Sequence, residues 1–132
     1  MRQTAIGLLI LVLVWLAPAD RGRAAEASPK TQAGRGDAIF QQACALCHGA
    51  AYQGSPGTPP LVGPEFNFGW SEKSVGELVE YLKAMMPPGQ GGVLTDVQYV
   101  ELAAAISEAN GIIRAADLPT DLTALKGVRI KP

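Results

Sequence analysis

The chain is poor in metal-ligating and redox side chains. It has one histidine, His48, and two cysteines, Cys44 and Cys47, among 132 residues. A structural zinc site wants four ligands, and these three fall short of it. Basic runs are absent and the formal net charge is −1, which makes nucleic acid and anionic membranes poor partners. Internal repeats and strand-like alternation are missing as well.

Long apolar runs are scarce. The one present, Ala5 to Leu16, is shorter than the roughly 20 residues that span a bilayer, and Pro18 cuts it off. Arg2 precedes it and small residues follow, the pattern of a secretory signal peptide. Residues 1–25 are read as that signal, with cleavage between 19 and 27 at Ala17-Pro18-Ala19 or Ala25-Glu26-Ala27. An uncleaved segment that anchors the chain in a membrane is the alternative. A lipoprotein anchor is excluded, because no cysteine lies near the cleavage region. The expectation is an exported, periplasmic protein without a stable membrane span.

From Glu26 onward 107 residues remain, enough for one domain with a marginal core of its own. Without Arg2, Arg21, Arg23 and Asp20, eight basic residues stand against eleven acidic ones, a net charge of −3. Mild acidity permits docking to a basic patch on a partner.

What is present is concentrated in Cys44-Ala45-Leu46-Cys47-His48. Two thiols one helical turn apart, followed at once by an imidazole, match the attachment signal of a c-type haem. The thiols add across the two porphyrin vinyl groups, and the histidine becomes an axial ligand of the iron. Other readings of the pair fit less well. A thioredoxin-like motif opens a helix after a strand, whereas this one closes a helix that no strand precedes. A plain disulfide leaves His48 without a task. A buried porphyrin would also supply the apolar surface that a small core lacks.

Residues 26–34 carry no period and are read as a leader. A helix is predicted from about Gly36-Asp37, with Ile39, Phe40 and Ala43 on its apolar face and the cysteines in its last turn before Gly49. From Gly49 to Trp70 glycines and prolines punctuate the chain. A structureless loop of that length needs a functional reason, and wrapping a haem edge is one. Ser74 and Glu77 form a capping box, followed by Val75, Leu78, Val79 and Leu82 at helical spacing. Pro87 and Pro88 stop that helix. Thr95 and Gln98 open another, with Tyr99, Leu102, Ala103 and Ile106 on one side and Asn110-Gly111 at its end. Thr120 to Leu125 suits one more short helix. The expected fold is all-α, three to five helices wrapped around one covalently bound haem. The domain covers 35–111, and a C-terminal extension, 112–132, packs on or near it.

With a single histidine in the chain, the sixth iron ligand cannot be a second imidazole. A methionine thioether suits iron and raises its potential. Apart from Met1 the candidates are Met85 and Met86. Met85 falls in the last helical turn, where core packing is a methionine's ordinary fate. Met86 precedes Pro87, is held extended, and can turn sideways to a metal. Met86 is therefore favoured, with Met85 the runner-up. Trp70 and Tyr52 are candidates to reach haem propionates through their N–H and O–H, with packing in the core or at the rim as the alternative.

An early CxxCH, a Gly/Pro loop, a helix ending in Met86-Pro87-Pro88-Gly89 and a terminal amphipathic helix together resemble class I monohaem c-type cytochromes. The likeness runs from about Gly34 to Gly111. Pro59-Pro60-Leu61-Val62-Gly63 is similar to the family's Pro-x-Leu-x-Gly segment. That likeness implies that the Pro59 carbonyl accepts a hydrogen bond from the His48 ring nitrogen facing away from iron. Gly36 and Phe40 match the positions where the family's first helix crosses its last. Ala104-Ala105-Ile106 departs from the usual Ala-Tyr-Ile, which puts that helix contact in doubt. More loosely, Asn110-Gly111, Asp117-Leu118-Pro119 and the tail resemble cytochromes that serve pyrroloquinoline-quinone dehydrogenases.

The resemblance implies a periplasmic electron carrier, not an enzyme, that cycles a His/Met-ligated haem iron between Fe(III) and Fe(II). Its implied partners are redox proteins, with a quinoprotein dehydrogenase as donor and a terminal oxidase or another cytochrome as acceptor. One alternative is a haem subunit fixed in a larger redox complex, for which the tail after Gly111 speaks. The other is a haem enzyme or gas sensor with a labile Met86.

Overall fold

The computed structural model describes residues 30–113 and 117–131. Six helical segments carry them: α1 (Gln32–Ala43), α2 (Ala45–His48), α3 (Gly63–Trp70), α4 (Val75–Met85), α5 (Asp96–Ala109) and α6 (Leu122–Leu125). Extended pairing among the described residues is limited to two isolated bridges, Ser55 with Thr58 and Ser74 with Arg129. The fold is all-α. Among the described residues no helix is long and apolar enough to cross a membrane. The expected signal segment, residues 1–25, and its candidate cleavage sites lie outside the described residues.

α1 begins earlier than the apolar period suggests. Thr31 is extended and its hydroxyl accepts from the Gly34 N–H at 3.0 Å, so the helix starts at Gln32 and absorbs the end of the expected leader. Its buried face also differs from the expectation. Gln32, Ala33, Gly34, Gly36 and Phe40 are buried, Ile39 is half-buried and Ala43 is exposed. The reason is the crossing with α5. A Cβ on Gly36 would fall 1.8 Å from the Glu101 carbonyl oxygen, so the two backbones touch where no side chain fits. Arg35 closes the edge of this contact with an ion pair to the nearly buried Glu101 at 2.5 Å.

α5 is buried along most of its length, from Tyr99 to Ser107. The run Ala103-Ala104-Ala105 gives the neighbouring elements close access, and Leu102 and Ile106 fill the space beside it. Both predicted capping boxes are formed. Ser74 and Glu77 start α4, and Thr95 and Gln98 start α5, each with side chain and backbone bonded reciprocally.

The cysteine motif does not end α1. The backbone breaks at Cys44, with φ −122° and ψ −32°, and a separate turn, α2, carries Cys47 and His48 to the stop at Gly49. The expected loop from Gly49 to Trp70 likewise contains a helix, α3. Pro64 lies in its first turn, where the missing N–H costs nothing and the fixed φ is helical. This proline opens a helix; it does not interrupt one.

Residues 117–131 belong to the core. Leu118, Leu125 and Ile130 are buried in the same cluster as the helices. The Gln32 amide donates to the Leu118 carbonyl at 3.0 Å and accepts from the Leu118 N–H at 2.7 Å, binding this segment to α1. Val75 N–H donates to Val128 carbonyl and Ile130 N–H to Lys73 carbonyl, so the last residues clasp the start of α4. Gly76 permits this approach, because a Cβ there would sit 2.8 Å from the Lys126 backbone nitrogen.

Candidate haem site

His48 is almost fully buried, and its Nδ1 lies 2.9 Å from the Pro59 carbonyl oxygen. A carbonyl only accepts, so Nδ1 is the donor of this bond and Nε2 is the ring nitrogen left to face a metal. The acceptor is held by the loop that follows α2. Gly54 N–H bonds to the His48 carbonyl at 2.7 Å, Leu61 N–H to the Tyr52 carbonyl at 2.8 Å, and Ser55 hydroxyl to the Cys47 carbonyl at 2.7 Å. Gly54 has φ +78°, and a Cβ there would meet the Thr58 carbonyl oxygen at 2.7 Å. The loop is irregular but closely tied. Asn110, at the end of α5, fixes its far side by donating to the Leu61 carbonyl at 2.8 Å and accepting from Gly63 N–H at 3.1 Å.

His48 opens onto a cavity of about 660 Å³ with largely apolar walls. Cys44 and Cys47 lie in the same wall, Cys44 half-buried and Cys47 exposed. Burial, and then the neighbouring Cys47, push the Cys44 thiol above its ordinary pKa. Leu78 and Leu82 from α4 and Leu102 and Ile106 from α5 face the space. Met86 completes the wall at the end of α4. Its backbone is extended, with φ −124° and ψ 140°, and its side chain packs against the core cluster. Met85 is 54% exposed and is not part of the lining.

Trp70 also lines the cavity, with Phe66 stacked at 6.0 Å, Tyr81 edge-on at 5.5 Å and the Lys73 ammonium 5.0 Å from its ring. Tyr52 is placed elsewhere. Its ring stacks on Phe40 at 3.8 Å and its hydroxyl donates to Asp37 at 2.7 Å, outside the cavity lining. Burial and that hydrogen bond push the Tyr52 hydroxyl far above its ordinary pKa, so it stays protonated as a structural donor. This placement is the core packing that stood as the alternative to a propionate contact for Tyr52.

Sequence reasoning missed Phe66, Phe68 and Lys73 as parts of the site. Phe66 and Trp70 are four residues apart, which places them on one helical face once Pro64 is read as a helix opener. Phe68 lines the cavity while 88% exposed.

These residues fit a porphyrin joined to the chain. The volume lies within the range of ligand pockets, and close-packed protein interiors do not leave such a space among side chains alone. Cys44, Cys47 and His48 line one largely apolar cavity. The family model described as cytochrome c oxidase, cbb3-type, subunit III matches residues 31–104. The chain belongs to this cytochrome c family. The cytochrome carries covalently bound c-type haem with its iron, and its role is haem-based electron transfer.

Two curated relatives are thiosulfate dehydrogenases. The cytochrome is 34% identical to that of Stutzerimonas stutzeri (strain A1501) over 93 residues, covering 63% of this chain and 30% of the relative. It is 32% identical to that of Psychrobacter arcticus over 87 residues, covering 61% of this chain and 27% of the relative. The chain thus spans less than a third of the length of these relatives. The crystal structure of the sulfane dehydrogenase SoxCD from Paracoccus pantotrophus shares the fold, with a TM-score of 0.61 and 24% identity. That match covers 74% of this chain and 52% of the other.

Proposed function

We propose that the chain is a periplasmic electron carrier whose haem would be held by thioethers from Cys44 and Cys47 and whose iron would be bound by His48 Nε2 and the Met86 sulfur. The observation that carries this reading is the shared enclosure of His48 and Met86, with Met85 turned to solvent. The haem supplies one-electron Fe(III)/Fe(II) chemistry when bound. The protein's part is to hold and insulate it. Pro59 keeps Nδ1 protonated, which leaves Nε2 basic for the metal. Leu78, Leu82, Leu102 and Ile106 exclude water from the cavity. Trp70 is placed to reach a propionate from the cavity wall. With both axial positions filled, the site would have no opening for a substrate, which argues against an enzyme.

The organisation that accompanies this reading is a signal over 1–25, a short leader, the cytochrome domain and a tail that completes its core. Its redox partners would be a quinoprotein dehydrogenase as donor, on the likeness of the tail, and an oxidase or another cytochrome as acceptor. A second reading is supported by the relatives. Each thiosulfate dehydrogenase is more than three times longer than the part this chain matches, so the domain suits a fixed haem subunit of a larger redox assembly.

The ligand set is tested by spectra of the ferric holoprotein. Met86→Ala should abolish the iron–sulfur charge-transfer band, and Met85→Ala should keep it. The opposite pattern would transfer the ligand role to Met85.

A further inference from the structure

The segment after α4, from Met86 to Leu94, has little of its own to hold it. Pro87 and Pro88 lack N–H groups, and Gly89 and Gly92 adopt φ +75° and +78°. One bond closes it internally, from Gln90 N–H to the Pro87 carbonyl at 2.8 Å. Its anchor comes from α5. Tyr99, with no exposed surface, sends its hydroxyl into the segment. That oxygen accepts from Gly92 N–H at 3.0 Å and from Leu94 N–H at 3.5 Å, and it donates to the Met86 carbonyl at 3.4 Å. One phenol thus joins the start, middle and end of the segment that carries Met86. A phenylalanine would fill the same space in the helix packing, so the hydroxyl serves the segment.

We propose that Tyr99 is a positioning residue for Met86, and that its hydroxyl sets how firmly the thioether keeps outside ligands from the sixth position of the iron. The inference rests on Met86 being that ligand. A competing ligand enters only when the segment opens and Met86 leaves. Opening breaks the bonds to the Tyr99 hydroxyl. Tyr99→Phe removes them beforehand and leaves Gly92 N–H unpaired in the closed form, which favours the open form.

The experiment titrates imidazole into the ferric holoprotein, each variant first shown to carry covalent haem by its alkaline pyridine spectrum. Loss of about one neutral hydrogen bond predicts imidazole binding about three- to tenfold tighter in Tyr99→Phe, with a weakened iron–sulfur charge-transfer band. Gln32→Ala serves as the control for general loosening, because it breaks the α1 contact with Leu118 and touches nothing in the segment. It should lower the unfolding midpoint and leave imidazole affinity as in the wild type. Unchanged affinity in Tyr99→Phe, or an equal rise in both variants, overturns the proposal. Met86→Ala separates the two readings: a wild-type band that survives this change contradicts Met86 ligation itself. Should Tyr99→Phe fail to mature, hydrogen exchange in the wild type decides. Gly92 N–H must be protected, and exchange at the rate of an open chain overturns the proposal.

Discussion

α1 and α5 meet backbone to backbone, whereas α2, α3 and the segment after Met86 meet across a cavity. The first contact is complete in protein alone. Gly36 lies against Glu101, Arg35 pairs with the same residue, and Gln32 ties the tail to the crossing. The second is a largely apolar cavity of about 660 Å³, bordered by Phe68 and Trp70 among others. The difference teaches where the cofactor acts as part of the core. The α1–α5 crossing packs on itself, while other faces of the same two helices, with Phe40, Leu102 and Ile106, line the cavity that suits haem.

The largest test of that division is the double change Cys44→Ala with Cys47→Ala. Covalent haem should be lost entirely, seen as no haem signal on a denaturing gel. Amides around the cavity should then exchange quickly, while those of α1 and α5 stay protected. Equal loss of protection in both regions would erase the distinction between them.

Gly36→Ala attacks the other half. The new Cβ meets a backbone carbonyl that cannot move alone, so the cost should be about 3 kcal/mol or more in denaturant unfolding of the holoprotein. A loss below about 1 kcal/mol would mean that the crossing yields more easily than close backbone packing allows.

Ser74→Ala is smaller and reads the start of α4, which borders the cavity. The buried Ser74 caps this helix, and its removal should cost about 1 kcal/mol at neutral pH. Bonds from the Ser74 N–H and hydroxyl hold the Glu77 carboxyl below its ordinary pKa, with Arg129 and Lys73 assisting. A carboxylate lowered in the folded state stabilises above its unfolded pKa and loses that contribution as pH falls through the folded one. The difference between wild type and Ser74→Ala should therefore shrink on acidification below the usual carboxylate range. Thermal melts across that range check it, and a difference that grows in acid would contradict the assignment.

Local signals made the comparison partly legible in the sequence. CxxCH, the two capping boxes and the Pro87-Pro88 stop each act within a few residues, and each marks an element where it stands. α3 was hidden because Pro64, a helix opener, looks like loop punctuation among so many glycines and prolines. Thr31 was hidden because a capping hydroxyl shifts a helix start without altering the apolar period. Contacts over long separations left no local trace. Gln32 with Leu118 and Tyr99 with the Met86 segment emerge only once the helices are assembled. The partner of Tyr52 has the same origin, since Asp37 meets its hydroxyl only after α1 and the loop have packed.

The proposal most exposed to test is that His48 and Met86 would both bind the haem iron, leaving no position for a substrate. Carbon monoxide mixed with the ferrous wild-type holoprotein tests it most directly. A closed site predicts no binding, or binding limited by slow departure of Met86. Rapid binding whose rate rises in proportion to carbon monoxide concentration would show an open sixth position and contradict the account.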